Sequence, residues 1–576
     1  MGNKRFTTLQ LPPLQGEGRG GDGVFTMDIK ERSKNNYSGK IIAGTILPFL
    51  AIFLAVCYLI VRTVIIILSD YAWYEVVVAW ALLFAEIFIL VHGIGYFLEI
   101  IHVLTHRHSL TATEAPPSLL ETYPPVAIIV SSFKEPLDVI ENTLISFYNL
   151  VYPRKHIYFL DDTRYDLPGD DQLAMTKYRQ DIDDLCKRIG IDLFRRRWRG
   201  AKAGMINDFL DFVADRPKEG FEFHAFSGRE RREKEKYIIV FDADQNPLPL
   251  FAEPLVAKME AEPRLAFIQT PQYYSNFEEN RIARASGLQQ AVFYEYICEG
   301  KSIEDAMFCC GTNVIFRREA LEDVGGFDES SVTEDFATSL KFHINGWRSA
   351  YHRDVLAFGM GPEDLGGFFK QQFRWALGTV GLLRQVVKRF FMAPRKLAPV
   401  KWWEYFLSST HYFIGLVFLI LAMCPILYLF AGVPTYFARP EIYLVFFVPY
   451  IIITVFTFFW TLRQRQYRAQ DLVMGQLLMA VTFPVYIKAS IQGLLGVRGK
   501  FVVTPKGSSQ ALPLTDIWPQ LALIVLSFAA IVWGVNRLIY EREPVMAIIV
   551  NIIWCLYHFA ILSSVFYFNE PAEKTS

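Results

Sequence analysis

Six long apolar runs set the first limit on how this chain can fold. A membrane-spanning helix needs about 20 predominantly apolar residues. Hydrophobic residues make up 52% of the 576 residues and aromatic residues 15%, more than one or two soluble cores would bury. The runs lie at about 41–68, 74–101, 404–432, 441–462, 517–538 and 545–567. They predict an all-α transmembrane region of about six helices, two before a long polar central region and four after it.

Basic residues near these runs predict their orientation, because cytoplasmic loops beside membrane spans carry an excess of Lys and Arg. Such residues precede the first run, follow the second and follow the fourth: Lys30, Arg32, Lys34, Lys40, Arg107, Arg463, Arg465 and Arg468. The connections at Ser69–Asp70 and 431–434 have none. The sequence therefore predicts a multi-pass protein of the inner (plasma) membrane, with both termini and the central region in the cytoplasm.

Charge and cysteine content exclude other classes of protein. The formal net charge is -1, so there is no overall basic field for nucleic acid. The run 229–236 alternates in sign, which is typical of a solvent-exposed loop or helix. The seven cysteines include no C-x-x-C pair, so we expect neither disulfides nor a zinc site. Residues 1–26 lack the apolar core of a signal peptide, and residues 1–40 are expected to be a disordered cytoplasmic tail.

Three short apolar runs in the central region each end in a polar cluster. The runs 125–130, 156–160 and 237–241 are continuous, as strands covered on both faces are. Ser131 follows the first run, Asp161-Asp162 the second and Asp242-Ala243-Asp244 the third. Ligands of parallel α/β sheets bind beyond the carboxyl ends of the strands. The pattern predicts an α/β domain with a mixed, mostly parallel sheet and a binding site at that edge.

Two acidic pairs suit the transfer of a sugar from a nucleotide. Asp242 and Asp244 match the one or two carboxylates with which Mg²⁺ binds a substrate diphosphate. An isolated D-x-D is more often a turn at a strand end, and the second pair favours the catalytic interpretation. Glu334 and Asp335 begin a helical pattern that Thr333 is placed to cap. A carboxylate at such a helix start can act as a general base on an acceptor hydroxyl.

The stretch Gln371-Gln372-Phe373-Arg374-Trp375 follows these pairs within a mixed apolar and basic segment at 368–391. Arg374 offers a planar cation to a diphosphate, and Trp375 offers a flat apolar face to a sugar ring. Trp and Arg are also common in helices that lie at a membrane interface. The two interpretations are compatible, and we predict an amphipathic interface helix that also contributes to the acceptor site.

In this order, the motifs resemble the processive membrane members of glycosyltransferase family 2, such as cellulose, hyaluronan and chitin synthases. The similar region runs from about 120 to 510. The resemblance implies a GT-A-type glycosyltransferase domain, a UDP-sugar donor, Mg²⁺ or Mn²⁺ as cofactor and an elongating polymer as acceptor.

The resemblance also implies roles for single residues. Asp242 and Asp244 bind metal and diphosphate, and Asp335, with Glu334 beside it, is the general base. Asp161 and Asp162 resemble the aspartates that contact the uracil nucleotide. The substrate-binding residues implied in this way are Ser131, Glu135, Asp161, Asp162, Lys202, Gly204, Gln269, Cys310, Gly311, Thr312, Gln371, Gln372, Arg374 and Trp375. The K-A-G-x-x-N element ends at Asn207, and the sequence 131–134 departs from the P-T-Y-N type expected there.

A further element narrows the product. Phe501-Val502-Val503-Thr504-Pro505-Lys506-Gly507 resembles the F-x-V-T-x-K-G gating loop of cellulose synthase and related β-glucan synthases. It implies that Phe501, Thr504 and Lys506 close over the donor, whereas without the other motifs a plain cytoplasmic linker would be expected. The match favours glucose over the sugars of hyaluronan or chitin. We expect no C-terminal cyclic-dinucleotide-binding domain, and two spans before the catalytic region resemble the hyaluronan-type layout.

The predicted organisation has eight segments. They are a tail (1–40), transmembrane helices 1–2 (41–103), the glycosyltransferase domain (104–362), interface helices (363–400), helices 3–4 (401–465), an interface helix and gating loop (466–510), helices 5–6 (511–568) and a tail (569–576). Candidates for intramembrane sugar binding cluster at the start of the third span: Trp403, Tyr405, Ser408, Ser409, Thr410, His411 and Tyr412.

The predicted function is polymerisation of glucose from UDP-glucose into a cellulose, β-1,3- or mixed-linkage glucan that is exported across the membrane. The expected partners are the donor, the glucan, the lipid bilayer and periplasmic or regulatory subunits, without nucleic acid. The alternatives are a chitin or hyaluronan synthase and a non-processive transferase acting on a lipid carrier, which would not need the Q-x-x-R-W motif. A transporter without chemistry would leave the strand-end carboxylates unexplained.

Overall fold

A computed structural model of the protein describes residues 34–70, 72–106, 120–166, 171–228, 234–331, 333–434, 440–465, 467–497, 510–541 and 545–571. Gly44–Ser576 forms one compact unit and Met1–Ala43 another. Most of the predicted N-terminal tail and the gating-loop residues Phe501, Thr504 and Lys506 lie outside the described residues.

The described strands form two sheets. They are β1 (Val126–Ser132), β2 (Lys155–Asp161), β3 (Asp192–Arg195), β4 (Glu222–His224), β5 (Tyr237–Asp242), β6 (Gln245–Pro247), β7 (Leu265–Gln269), β8 (Tyr273–Tyr274), β9 (Val314–Arg317), β10 (Arg348–Tyr351) and β11 (Ala357–Gly359). The larger sheet has the order β10-β7-β9-β5-β1-β2-β3-β4, and the smaller has the order β6-β11-β8. The pairs β10/β7, β5/β1, β1/β2 and β2/β3 are parallel and the other three of the large sheet antiparallel. The predicted mixed, mostly parallel sheet is confirmed.

The described helices include long apolar helices before and after the sheets and shorter helices between the strands. They are α1 (Lys34–Leu68), α2 (Trp73–Thr105), α3 (Leu137–Tyr148), α4 (Gln172–Ile189), α5 (Ala201–Val213), α6 (Ala252–Ala261), α7 (Arg281–Val292), α8 (Cys298–Ile303), α9 (Arg318–Asp323), α10 (Glu334–Ile344), α11 (Leu365–Met392), α12 (Pro399–Thr410), α13 (Ile414–Ala431), α14 (Pro440–Arg463), α15 (Ala469–Val481), α16 (Phe483–Leu494), α17 (Trp518–Tyr540) and α18 (Val545–Phe568). A π-helical turn, Phe293–Ile297, joins α7 to α8.

The large sheet is covered on both faces, which explains why its strands are continuously apolar. Alternate residues of β1 point to opposite cores. Ile128 and Val130 pack with α3, α4 and α6, whereas Ala127 and Ile129 pack with α5. All the apolar residues of β1 are at least 98% buried. Two apolar layers therefore hold the carboxyl ends of β1, β2 and β5 at one rigid edge.

Six described helices are long and apolar enough to cross a membrane, or seven if the bent pair α15 and α16 is one span. That pair is bent by 52°. The third span differs from its prediction, because it begins at Pro399 and a 3-10 turn at His411–Phe413 divides it. Its first part, α12, packs on the catalytic domain, where Trp402 and Tyr405 share a core with Phe336.

Two local predictions need correction. Glu235 was expected on a solvent-exposed segment but is 1% exposed, and its carboxylate accepts hydrogen bonds from His156 (2.8 Å) and Tyr158 (2.6 Å). Thr333 does occupy the N-cap position of α10, but its side chain makes no capping hydrogen bond. All seven cysteines lie in the described residues, and none of them forms a disulfide in the structure.

Candidate active site

The strand register brings the three predicted polar clusters to one edge of the sheet. β1 lies between β5 and β2. Ser131 is paired with Asp242 on one side, and Ser132 is paired with Asp161 on the other. The carboxyl ends of the three strands are therefore level, as ligand-binding α/β sheets require.

Lys202 lies at the centre of this edge and links two elements. Its ammonium group donates hydrogen bonds to the carboxylate of Asp242 and to the carbonyl oxygen of Gly311, the latter at 2.7 Å. Although burial works in the opposite direction, the negative charges of Asp242 and Glu334 raise the pKa of Lys202. Lys202 is therefore held as a cation among the predicted catalytic carboxylates.

The loop 308–313 connects the D-x-D pair to the acidic pair on α10. The Thr312 hydroxyl accepts a hydrogen bond from the backbone N–H of Asp242 at 2.9 Å. Gly311 has a φ of +88°, and a Cβ atom there would lie 2.9 Å from Oδ2 of Asp335. The backbone of Gly311 thus lies against the Asp335 carboxylate, and only glycine fits both the space and the conformation.

The pKa values of both carboxylates at the start of α10 are raised, mainly because each loses hydration in the cleft. Burial and the negative charge of Glu334 raise the pKa of Asp335 to about 7, against a hydrogen bond from the N–H of Phe336 (2.8 Å) and the charge of Lys202. Burial also raises the pKa of Glu334, against the positive charges of Lys202 and Arg374. A general base should have a pKa near the working pH, and Asp335 meets this requirement.

Helix α11 carries the Q-x-x-R-W motif and packs directly on the start of α10. A Cβ atom at Gly378 would lie 2.3 Å from Cγ2 of Thr333, so the two helices touch at this glycine. Arg374, one turn before Gly378, acts electrostatically on Glu334. Trp375 is partly exposed. The motif is therefore beside the acidic pair, as its predicted role in the acceptor site requires.

Several predicted substrate-binding side chains are buried and engaged with the protein. They are Asp161 (3% exposed), Asp162 (6%), Gln269 (0%), Thr312 (2%) and Gln372 (2%). Gln269, expected to line the donor site, lies beneath it: its amide accepts from the N–H of Cys310 (2.8 Å) and donates to the carbonyl of Thr312 (2.8 Å). Gln269 therefore fixes the backbone of the loop at Cys310 and Thr312.

Two arginines that were not predicted as site residues hold the aspartates at the end of β2. Arg195 donates to Asp161 at 2.7 Å, and Arg196 donates to Asp162 at 3.0 Å. Burial raises the pKa of Asp162 to about 7, although Arg196 opposes the shift. The run Arg195-Arg196-Arg197 could have indicated partners for these aspartates. It was not used because β3, which it follows, was not predicted.

The remaining predicted residues have defined positions. Gly204 is buried in the first turn of α5, and Asn207 on the same helix bonds both to the backbone of Phe327 and to Glu329. The carbonyl of Glu135 accepts from Tyr178 at 2.8 Å. Of the candidates in the third span, Tyr405 and Ser409 are buried, and Tyr405 hydrogen-bonds to His343 (2.7 Å). His411 is exposed and Thr410 lies 3.2 Å from Nε2 of His92.

The side chains present fit a metal that is completed by its substrate. In the part of the chain that the structure describes, no group of three or more His, Cys, Asp or Glu side chains is arranged to hold a metal ion. Asp242 and Asp244 would supply the one or two carboxylates that Mg²⁺ or Mn²⁺ takes from a protein when phosphates and water complete its coordination. The described side chains alone do not form a complete metal cage.

Comparison with known proteins identifies the catalytic domain. The family model for glycosyl transferase family 2 matches residues 127–325, and that for glycosyl transferase family group 2 matches residues 237–462. The chain is a family 2 glycosyltransferase. The matched residues contain every predicted catalytic carboxylate and the Q-x-x-R-W motif.

This glycosyltransferase is similar to bacterial cellulose synthases. It is 25% identical over 507 residues to the UDP-forming cellulose synthase catalytic subunit of Pseudomonas fluorescens, which covers 85% of this chain and 62% of that protein. It is 26% identical over 449 residues to cellulose synthase 2 of Novacetimonas hansenii, covering 75% of this chain and 25% of that protein. The chain thus spans less than two thirds of the length of these relatives.

Among solved structures, the glycosyltransferase matches the mannosyltransferase PcManGT from Pyrobaculum calidifontis in complex with GDP-Man and Mn²⁺. The identity is 16% and the TM-score 0.42, over 71% of this chain and 100% of that chain. The described residues contain six helices that are long and apolar enough to cross a membrane. These helices and the similarity to bacterial cellulose synthases show that the chain is a membrane protein.

Proposed function

We propose that this protein is a processive, inverting glycosyltransferase that builds a β-glucan from UDP-glucose and moves it across the inner membrane. The observation that carries the proposal is the contact between two motifs: the helix with Q-x-x-R-W packs at Gly378 against Thr333, two residues before the half-buried Asp335. A transferase that adds one sugar to a lipid carrier does not need this arrangement. The similarity to cellulose synthases supports the same conclusion.

The proposed reaction is a single displacement at the anomeric carbon. Asp335 accepts the proton of an acceptor hydroxyl while that oxygen attacks the anomeric carbon of the donor. The new glycosidic bond forms as the bond to the diphosphate breaks, and UDP leaves with the bonding electrons. One displacement inverts the configuration, so an α-linked donor gives a β-linked product. The pKa of about 7 lets Asp335 take up the proton at neutral pH.

Fixed positive charges meet the leaving diphosphate. Lys202 is held beside Asp242, and Arg374 lies near Glu334. Preorganised charges of this kind stabilise a developing anion in a cleft that excludes water. A divalent cation bound by Asp242 and Asp244 would add Lewis-acid neutralisation of the diphosphate.

The proposed reaction also implies which residues contact the acceptor sugar and which contact the nucleotide. Trp375, Cys310 and Gly311 would contact the acceptor, and Ser131, Glu135, Asp161 and Asp162 would lie on the nucleotide side. The gating residues Phe501, Thr504 and Lys506 would close over the donor. The catalytic domain would be cytoplasmic, and the chain's own helices would form the path for the glucan. Periplasmic or regulatory subunits would act on the exported polymer.

A donor screen tests this function. The purified protein in lipid vesicles would be given Mg²⁺ or Mn²⁺ with labelled UDP-glucose, UDP-N-acetylglucosamine or UDP-glucuronate, and any polymer would be digested with linkage-specific glucanases. We expect a glucanase-sensitive polymer from UDP-glucose alone. A polymer from UDP-N-acetylglucosamine alone would identify a chitin synthase, and a polymer that forms only when UDP-N-acetylglucosamine and UDP-glucuronate are supplied together would identify a hyaluronan-type synthase. Transfer to lipid without polymer would identify a lipid-carrier transferase, and any of these results overturns the proposal.

A further inference from the structure

The end of α11 and the turn after it expose apolar and basic side chains together. Residues 384–396, here called the basic tip, connect the Q-x-x-R-W helix to the third span, which begins at Pro399. Phe391 is 77% exposed in this segment and Met392 is 73% exposed. The exposed cations of the basic tip are Arg384, Lys388, Arg389, Arg395 and Lys396.

These five cations have no acidic partner in the protein. Among the described residues, no carboxylate forms an ion pair with any of them. The sequence explains this, because residues 365–403 contain eight Lys or Arg and no Asp or Glu. Lys388 also follows Arg384 by four residues on the same helix, a spacing at which like charges are destabilising. The charges therefore favour an anionic partner from outside the chain.

The helix dipole does not explain the whole cluster. Cations are favourable within the last turn of a helix, and Arg389 lies in the last turn of α11. Arg384 lies about two turns before the end of the helix, whereas Arg395 and Lys396 lie beyond it. Most of the cluster is thus outside the region where the dipole acts.

The basic tip has a fixed position beside the third span. The ring of Phe390 packs edge-on against that of Trp402 on α12, with centroids 5.6 Å apart. Nε1 of Trp402 donates a hydrogen bond to the carbonyl oxygen of Pro394 at 2.8 Å. Val386 and Leu397 are buried in the same core as Trp402. The exposed side chains are therefore held where the chain enters the membrane.

A lipid leaflet with anionic head groups matches both properties of this segment. Exposed Phe and Met side chains suit the boundary between head groups and acyl chains. Clustered Lys and Arg side chains beside a spanning helix suit the phosphates of anionic lipids. A soluble acidic protein would match the charges, but it would not account for apolar side chains exposed at the start of a span.

We propose that the basic tip binds the head groups of anionic phospholipids in the leaflet beside the catalytic domain, with Phe391 and Met392 inserted among the acyl chains. The lipid phosphates balance the charges that residues 365–403 leave without acidic partners. Bound lipid also fixes the end of the helix that carries the Q-x-x-R-W motif. The inference goes beyond the proposed function and does not depend on the donor sugar.

Photocrosslinking of lipids to the purified full chain tests the site. The protein would be placed in bilayer discs of phosphatidylcholine with a trace of photoreactive phosphatidylglycerol or photoreactive phosphatidylcholine, each with its reactive group next to the head group. Labelled peptides would be identified by mass spectrometry. We expect the phosphatidylglycerol probe to label residues 384–396 at least about tenfold more than the phosphatidylcholine probe, the equivalent of about 1.4 kcal/mol.

The start of α2 is the internal control for this preference. Trp73 is 80% exposed there, so it offers an apolar side chain at the end of another span. The charged residues beside it, Asp70 and Glu75, are acidic. Labelling at Trp73 should therefore show no preference for the phosphatidylglycerol probe.

A triple variant tests the charges of the basic tip. Lys388→Gln, Arg389→Gln and Lys396→Gln together remove three of its five cations. The preference for phosphatidylglycerol at residues 384–396 should fall below about threefold, because each cation near an anionic surface adds to the attraction. Thermal unfolding in detergent would show that the variant is folded.

The matched control removes three cations elsewhere. Lys177 and Lys187 on α4 and Arg264 before β7 are exposed, and none of them pairs with a described carboxylate. The α4 helix packs on the large sheet of the catalytic domain. Lys177→Gln, Lys187→Gln and Arg264→Gln together should keep the wild-type preference at residues 384–396.

The outcomes separate lipid from other partners. Equal labelling of residues 384–396 by the two probes in wild-type protein would overturn the site, as would equal loss of preference in the two triple variants. Inorganic phosphate that abolishes the preference, where sodium chloride of equal ionic strength does not, would reveal a site for free phosphate and overturn the lipid assignment. If the first triple variant does not fold, the wild-type preference and the phosphate competition decide. No readout requires polymer synthesis, so failure of the proposed function and failure of this inference are distinguishable.

Discussion

The carboxyl group of Asp335 shows how neighbours prepare a single residue for catalysis. Burial and Glu334 favour its protonated form, and Lys202 favours its ionised form. The balance sets its pKa at about 7, well above that of an ordinary aspartate. In the proposed reaction this group must begin each cycle without its proton.

This balance predicts the pH dependence of catalysis. Because the base is active only when ionised, the active fraction is small below pH 7 and approaches its maximum above it. We expect kcat for polymer formation to rise through about pH 7 at saturating donor. Asp335→Asn should abolish polymer formation and leave UDP binding nearly unchanged. A rate independent of pH from about 5 to 8, or substantial synthesis by Asp335→Asn, would remove Asp335 as the base.

Gly311 offers a second test at the residue scale. Gly311→Ala places a methyl group 2.9 Å from the Asp335 carboxylate. Gly325 is the matched control, because its φ of +74° is similar but nothing lies within 4 Å of an added Cβ. Both variants should lose about 1–2 kcal/mol of stability from backbone strain. Only Gly311→Ala should also lose about 100-fold in kcat, since a displacement of about 1 Å costs that much. Equal activity in the two variants would contradict the close approach.

At the scale of elements, the contact between α11 and α10 positions the Q-x-x-R-W motif. Gly378→Ala would bring a methyl group to 2.3 Å from Cγ2 of Thr333 and push the helices apart. We expect a loss of about 100-fold in polymer formation. Thr333→Ser removes Cγ2 and should restore much of the activity in the double variant.

The same helix provides the control. A Cβ at Gly381 would have its nearest neighbour at 3.9 Å, an ordinary contact, so Gly381→Ala should keep near wild-type activity. Failure of Thr333→Ser to improve Gly378→Ala, with both proteins folded by thermal unfolding in detergent, would show that the helix contact does not position the motif.

Regular elements were predictable where the sequence pattern is long or continuous. The three predicted strands and the six apolar helices depend on local burial, which the pattern of apolar residues reports directly. The division of the third span at His411–Phe413 was not predictable. Apolar residues of α12 such as Trp402 pack on the catalytic domain, and an apolar residue that contacts protein looks the same in the sequence as one that contacts lipid. Short strands such as β3, which has four residues, were also not predicted, because so few residues give no clear apolar pattern.

Within the site, the sequence indicated which residues come together but not how each one acts. Lys202 donates a hydrogen bond to Asp242 and acts electrostatically on Asp335. Gln269 is an example of a residue whose role the sequence alone does not give. The sequence indicates a position at the end of β7, but the burial of Gln269 depends on the loop at Cys310 that folds over it. The partners of Asp161 and Asp162 depend on the pairing of β2 with β3, which no local pattern reveals.

At the scale of the whole molecule, a buried ion pair links the catalytic domain to α12, the first part of the third span. Lys301 of α8 donates to Glu404 of α12, and their side chains are 4% and 8% exposed. Removing one partner leaves an uncompensated buried charge, which costs about 3–5 kcal/mol. Replacing both with apolar residues avoids that cost.

We therefore expect Lys301→Met and Glu404→Leu each to lower the unfolding temperature in detergent, and the double variant to be more stable than either. Lys236→Met is the matched control, since Lys236 pairs with Glu260 at an exposed site and its loss should cost at most about 1 kcal/mol. Additive losses in the double variant would show that the pair is not coupled.

Synthesis and export by one chain can be measured together in sealed vesicles. The purified protein would be inserted in sealed vesicles, with UDP-glucose and Mg²⁺ supplied only outside, and product would be challenged with added glucanase before and after detergent. We expect polymer that resists glucanase until the vesicles are opened, because in the proposed function the chain that forms each bond also carries the product through its own helices. Polymer that is fully digested in sealed vesicles would contradict export by this protein.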